Sequence, residues 1–170
     1  MIELAPTLFS ESTLCFSSHN ILLKSGAVLS LFEKMNITKS MSAVKLASTF
    51  KSKLVPWKWL LKKFCHGNEE EQSIILAIEA AAVGGGVIGE VLSTEPSFRF
   101  ILQTLHDEEI ITDDAIITWA GKRRNENPNT PKGSLFSQQH TQDFLKWLEE
   151  DSDSDDESDE DEEGTSDDES

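Results

Sequence analysis

From residue 26 onward, apolar residues recur at spacings of three and four, the signature of helices that bury one face. Val28, Leu31, Phe32 and Met35 form the first stripe, which Asn36 stops. Thr38 or Ser40 can cap a second helix, in which Met41, Val44, Ala47 and Phe50 recur every three residues as the expected inner face. Pro56 suits the first turn of a third helix, where its missing N–H costs nothing. Trp57, Leu60, Leu61 and Phe64 would be the buried stripe there, with Gly67 as a left-handed stop. Asn68 and Glu71 have the spacing of a capping box, and Ile74, Ile75, Ile78 and Ala82 form the apolar face that follows.

Gly84-Gly85-Gly86 ends that helix, and Val87, Ile88, Val91 and Leu92 mark a short segment after it. Thr94-Glu95-Pro96 reads as another cap-and-proline start, leading to the stripe Phe98, Ile101, Leu102 and Leu105. Thr112-Asp113-Asp114 sets acids at a helix N-terminus and Lys122-Arg123-Arg124 sets cations at its end, both as the helix dipole prefers. Asn125 to Gly133, with Pro128 and Pro131, reads as a loop. A last helix is expected from Ser134 or Ser137 to Glu150, with Thr141, Phe144, Leu145 and Leu148 inward. No segment sustains a period of two. The expected fold is all-α, with antiparallel helix pairs stacked as a HEAT-like α-solenoid over residues 25–150, after a weakly patterned segment 1–24.

Charge adds a third region. Of 31 acidic residues, 15 lie between Glu149 and Ser170, where there is no Lys or Arg, so the preceding body carries 16 acids against 15 bases. Such a block cannot bury enough apolar surface to offset chain entropy, and residues 151–170 are expected to form a disordered acidic tail. Ser152, Ser154, Ser158 and Ser166 each have an acid three residues on, the spacing that an acid-directed kinase reads.

The remaining residues argue against chemistry. Cys15 and Cys65 have no metal or disulfide spacing, and His19, His106 and His140 have none either, so no metal and no cofactor are expected. Gly84, Gly86 and Gly89 fit a dinucleotide-loop pattern, but a helix precedes them and no strand signal follows. The apolar run Ile74 to Leu92 is broken by Glu79, Glu90 and four glycines, so no membrane span is expected, and two cysteines without a paired spacing suit reduced thiols in a cytoplasmic protein. Eight lysines with no acid between Lys34 and Asn68 read either as a surface for RNA or phosphate, or as a face that balances the acidic tail within the molecule.

Two clusters remain. Asp107, Glu108, Glu109, Asp113 and Asp114 place five carboxylates in eight residues, closed by Trp119. Near the end of the last helix, Trp147 lies about 100° around from Leu148, beside Glu149, Glu150 and Asp151, where an indole and carboxylates can hold the Lys or Arg of a partner.

Leu105 to Trp119 and Phe144 to Glu150 resemble the paired aromatic and acidic boxes of the C-terminal two-tryptophan HEAT domain found in the epsilon subunit of translation initiation factor 2B and in initiation factor 5. Asp113-Asp114-Ala115-Ile116 and Met35-Asn36-Ile37-Thr38 look more like the epsilon subunit, whereas Phe64 to Asn68 and Ala77-Ile78-Glu79 look like factor 5. The resemblance implies binding to lysine-rich boxes in the beta subunit of initiation factor 2. For an epsilon-type domain it also implies GDP release from the gamma-subunit GTPase, with contacts to other factor 2B subunits; for a factor 5 type, it implies an adaptor without exchange activity. Trp147 matches the box tryptophan implicated in exchange, and Asp107, Glu109, Asp113, Asp114, Glu149 and Glu150 match box acids. His106 stands where the family has Tyr, and residues 84–89 depart from its pattern. Full epsilon subunits also carry a nucleotidyltransferase-like domain and a left-handed β-helix with no counterpart here, so the resemblance implies a fragment or a shortened relative.

Overall fold

The structure, a computed structural model, describes residues 26–64 and 67–152, apart from the side chains of Phe64, Asp151 and Ser152. The expectations for residues 1–24, Cys65, His66 and the tail beyond Ser152 lie outside the described residues. Every regular element described is helical, as the 3.6-residue pattern requires. After α1 (helical residues 26–33) come α2 (Ala43–Leu54), a 3-10 turn (Val55–Trp57) and α3 (Lys58–Phe64). Next are α4 (Asn68–Val83), α5 (Gly86–Ser93), α6 (Ser97–Asp107) and α7 (Asp113–Arg123), and the last two are α8 (Pro131–Phe136) and α9 (Gln139–Ser152). α6 packs against α2 and α9, α4 packs against α5, α7 and α8, and α9 closes on both α6 and α7. This packing is compatible with the expected stack of helix pairs.

One contiguous core runs from Val28 to Leu148. The stripes of α1, α4 and α6 are buried as expected, and Phe98, Ile101, Leu102 and Leu105 of α6 are fully enclosed. Burial stabilises by about 1.5–3 kcal/mol for each such side chain. α2 differs from expectation. Its buried residues are Leu46, Phe50 and Leu54, while Val44 is 68% exposed. Residues spaced strictly by three fall back about 60° per step around a helix, so Met41, Val44, Ala47 and Phe50 sweep half a turn and cannot share one face. Phe50 instead stacks on Phe32 of α1 at 4.9 Å. Trp57 also departs from expectation: it ends the 3-10 turn rather than opening α3, and it is half exposed.

Several helix ends are set by residues other than those the local pattern offers, some of them far along the chain. Ser42, not Thr38 or Ser40, caps α2 by accepting from the Lys45 N–H at 3.3 Å. Gly67, with extended backbone at φ −174°, is the N-cap of α4 and not a left-handed stop. Glu71 makes no capping box with Asn68; its Oε2 accepts from the N–H and Oγ1 of Thr112, at 2.8 and 2.6 Å, and so fixes the start of α7. Thr94 does not cap α6 either, since its hydroxyl donates back to the Glu90 carbonyl at 2.7 Å. Glu95 reaches α9, accepting from the His140 N–H at 3.0 Å, and these contacts with His140 hold its carboxyl below the usual carboxylate range.

The glycine run does break the chain, because Gly85 and Gly86 take φ of +79° and +69°, which residues with a Cβ rarely adopt. The dinucleotide pattern there lies between two helices with no strand among the described residues. Residues 131–133 are not loop: Thr130 caps a short helix with Pro131 in its first turn. Gly133 admits the close approach of Asn127, whose carbonyl oxygen would lie 2.0 Å from any added Cβ. No single described helix is long and apolar enough to cross a membrane. α4 and α5 pass that test only together, and they bend by 107° at their junction.

Candidate functional site

The corner between α6 and α7 determines where the first acidic cluster points. The Ile110 N–H donates to the Leu105 carbonyl at 2.9 Å and the Glu109 N–H to that of His106 at 2.7 Å, the paired bonds of a Schellman stop. Leu105, Ile110 and Ile111 are buried and anchor the corner. Glu109 occupies the left-handed position, at φ +54°, where glycine is usual. The two acids at the stop itself, Glu108 and Glu109, therefore leave in a different direction from Asp107 and Asp113, which flank it.

Glu108 and Glu109 turn toward the lysines of α2 and α3. Glu108 is buried, with its carboxylate 2.7 Å from Lys51 Nζ and 2.9 Å from Lys58 Nζ. Hydrogen bonds from these two ammonium groups hold its carboxyl below the ordinary range, and the same contact pushes Lys51 up. Glu109 is bonded to Lys62, which lowers its carboxyl too. Part of the lysine run thus pairs with acids of the first cluster, a partner that neither meaning of the run anticipates.

Asp107 and Asp113 gather instead around His106 and the aromatic end of α9. His106 Nε2 lies 2.5 Å from Asp113 Oδ1, and its Nδ1 lies 3.8 Å from Asp107 Oδ1. The Nδ1 and the Asp113 oxygen are both buried without a well-directed hydrogen bond, so these are close polar approaches rather than aligned bonds. The imidazole meets Trp147 edge-on, with ring centroids 6.0 Å apart, and Phe144 at 6.3 Å. Trp147 stacks on Phe144 at 5.8 Å and remains 47% exposed. Arg99 lies over Phe144 at 5.3 Å, and burial pulls its guanidinium below the usual value against the fields of Asp107 and Asp143.

The other expected site residues divide further. Asp114 is exposed in the first turn of α7. Glu149 is bonded to Arg124, and Glu150 lies 3.6 Å from Lys146 on the exposed side of α9. Asp151 and Ser152 extend α9 beyond the expected end, with side chains outside the described residues, as are Ser154, Ser158 and Ser166.

Trp119, which closes the first acidic cluster along the chain, lies in the core. It is 1% exposed, lies 5.6 Å from Phe98 and 5.9 Å from Phe136, and donates its indole N–H to Glu79 at 3.2 Å. Glu79 is itself buried and receives both Arg123 Nε at 2.6 Å and Nη2 at 2.7 Å. A buried carboxylate needs such partners, and this one ties α4 to α7. The sequence pattern signals Trp147 but neither its contact with His106, one helix away, nor the approach of Arg99. Only the spacing of Arg99 and His106, seven residues apart on α6, hints that they share a face.

Comparison with curated proteins and with solved structures returns no match. A family model does match: W2, described as eIF4-gamma/eIF5/eIF2-epsilon, over residues 61–161, more than half of the chain and including both acidic clusters and Trp147. With an all-helical fold and its aromatic and acidic residues brought together at the ends of α6 and α9, the chain belongs to the W2 family of translation initiation factor domains.

Proposed function

We propose that this domain docks lysine-rich segments of the beta subunit of initiation factor 2 on the face formed by the end of α6, the start of α7 and α9. We further propose that Trp147 is the residue through which it promotes GDP release from the gamma-subunit GTPase. The observation that carries this reading is the half-exposed Trp147, stacked on Phe144, with the carboxylates of Asp107 and Asp113 gathered at the adjoining His106. A lysine ammonium laid over the indole gains about 0.5–2 kcal/mol, and neighbouring carboxylates add a field that speeds encounter and weakens with salt. Asp114 would extend that field along α7, and the acids from Asp151 onward would add to it, whereas Glu150 has Lys146 beside it. Glu108, Glu109 and Glu149 contribute less, because Lys51, Lys58, Lys62 and Arg124 already neutralise them. Phosphorylation at Ser152, Ser154, Ser158 or Ser166 would add roughly −1.5 to −2 charges each and strengthen the attraction. This role would be performed in the cytoplasm.

A second reading, an adaptor of the initiation factor 5 type that docks the same segments without releasing GDP, is favoured by the departure from the family at His106, the ring that Trp147 meets edge-on. A GDP-release assay on initiation factor 2 separates the two. Acceleration that disappears in Trp147→Ala supports exchange, binding of the lysine-rich segment without acceleration supports the adaptor, and no binding overturns both.

A further inference from the structure

One imidazole stands between the acids and the rings of the proposed docking face. The His106 side chain is only 22% exposed, so its neighbours, more than solvent, feel any change in its charge. From α7 it faces Asp113, whose Oδ1 lies 2.5 Å from Nε2, and from its own helix it faces Asp107, whose Oδ1 lies 3.8 Å from Nδ1. From α9 it faces rings: Trp147, edge-on at 6.0 Å, and Phe144 at 6.3 Å. Trp147 is thus held between the stacked Phe144 and the edge contact with His106. Two further charges act at one remove, Arg99 over Phe144 and Asp143, whose field reaches that guanidinium. Lys51 of α2 and Lys58 and Lys62 of α3 are turned instead to Glu108 and Glu109.

We propose that His106 is a positioning residue of this face, whose neutral ring braces the Trp147 indole and whose protonation weakens lysine docking. The inference rests on the docking reading above. Nδ1 is buried without a hydrogen-bond partner. An imidazolium has a donor on each ring nitrogen, so a second ring proton would direct one toward Asp107 and one toward Asp113. Imidazole is the side chain whose charge ordinarily changes between pH 5 and 8, an interval in which free carboxylates stay ionised. A positive charge on the ring cancels one of the two negative charges that Asp107 and Asp113 offer, and it repels an incoming ammonium group. Docking is therefore strongest with the neutral ring, at the upper end of that interval, and weakens as pH falls.

The test is calorimetric titration of N-acetylated decalysine, whose ammonium groups stay charged throughout, into the full chain at pH 7.5 and pH 5.5 and constant ionic strength. The parent should lose about threefold or more in affinity at the lower pH. His106→Phe keeps a ring edge against Trp147 but cannot gain charge. It should bind within about twofold of the parent at pH 7.5 and change little with pH. His106→Gln has neither ring nor titration, so it should be equally flat and weaker at both pH values. Circular dichroism checks the helical content of both variants, and either one supplies the pH comparison. His140→Gln should keep the pH dependence of the parent, because His140 pairs with Glu95 near the opposite end of α9. An equal fall in the parent and in His106→Phe overturns the proposal, and equal affinity of the phenylalanine and glutamine variants overturns the bracing role. Binding at pH 7.5 that is unchanged at pH 5.5 overturns this inference alone, whereas absence of binding at pH 7.5 overturns the docking reading and this inference with it.

Discussion

Two pairs of acids at one corner, Glu108 and Glu109 at the helix stop and Asp107 and Asp113 flanking it, behave as different materials. On one side Glu108 and Glu109 meet Lys51, Lys58 and Lys62, and their charge is spent inside the domain. On the other side Asp107 and Asp113 meet only an imidazole, and beyond it Trp147 stands half in solvent. The count of carboxylates in a segment therefore says little about the field it shows a partner. What decides is which of them the fold has already paired. The tryptophans differ in the same way: Trp119 closes the core around Glu79 and Arg123, whereas Trp147 is held by its neighbours but left accessible.

The largest effect that sharpens this contrast is on stability. Trp119→Ala should destabilise the domain by about 3–5 kcal/mol, as removal of a fully buried aromatic does, while Trp147→Ala should unfold near the parent temperature and lose lysine-peptide binding. Parallel thermal melts and peptide titrations check both, and similar melting losses in the two variants would break the distinction. Next in size, Arg123→Met strands the buried Glu79 carboxylate and should cost about 3–5 kcal/mol. Glu79→Gln in the same background should recover part of that loss, as a double-mutant melt would show.

A smaller effect is the response to acid. Glu95, Glu108 and Glu109 ionise more readily in the folded chain than in the unfolded one. Their contribution is complete above the ordinary carboxylate range and is lost as pH falls through their lowered values. The melting temperature should therefore fall on acidification more steeply in the parent than in Glu108→Gln/Glu109→Gln, and parallel pH profiles would contradict this. Smallest of all, Glu109→Gly should relieve the left-handed backbone at φ +54° and raise the melting temperature slightly despite the loss of the Lys62 contact, because that ion pair is exposed.

Much of the fold was legible where one helix face is apolar throughout. The stripes of α1, α4, α6 and α9 needed only periodicity. The readings that failed depended on partners far along the chain. Glu71 and Asn68 had the spacing of a local cap, yet Glu71 serves Thr112, and Glu95 serves His140. In α2 a run of threes competed with Leu46, Phe50 and Leu54, and packing against α1 and α6 selected the latter. At the candidate site Trp147 was legible from its angle to Leu148. The division of the acids was not, because it follows from one positive-φ residue and from lysines about fifty positions earlier.

The most direct measurement is calorimetric titration of a lysine-rich peptide into two charge-matched pairs, Asp107→Asn/Asp113→Asn and Glu108→Gln/Glu109→Gln. The open half of the corner should carry the binding, so the first pair should lose about tenfold or more in affinity while the second stays within about twofold of the parent. Equal losses in the two pairs would contradict the division of the corner into a paired half and a binding half.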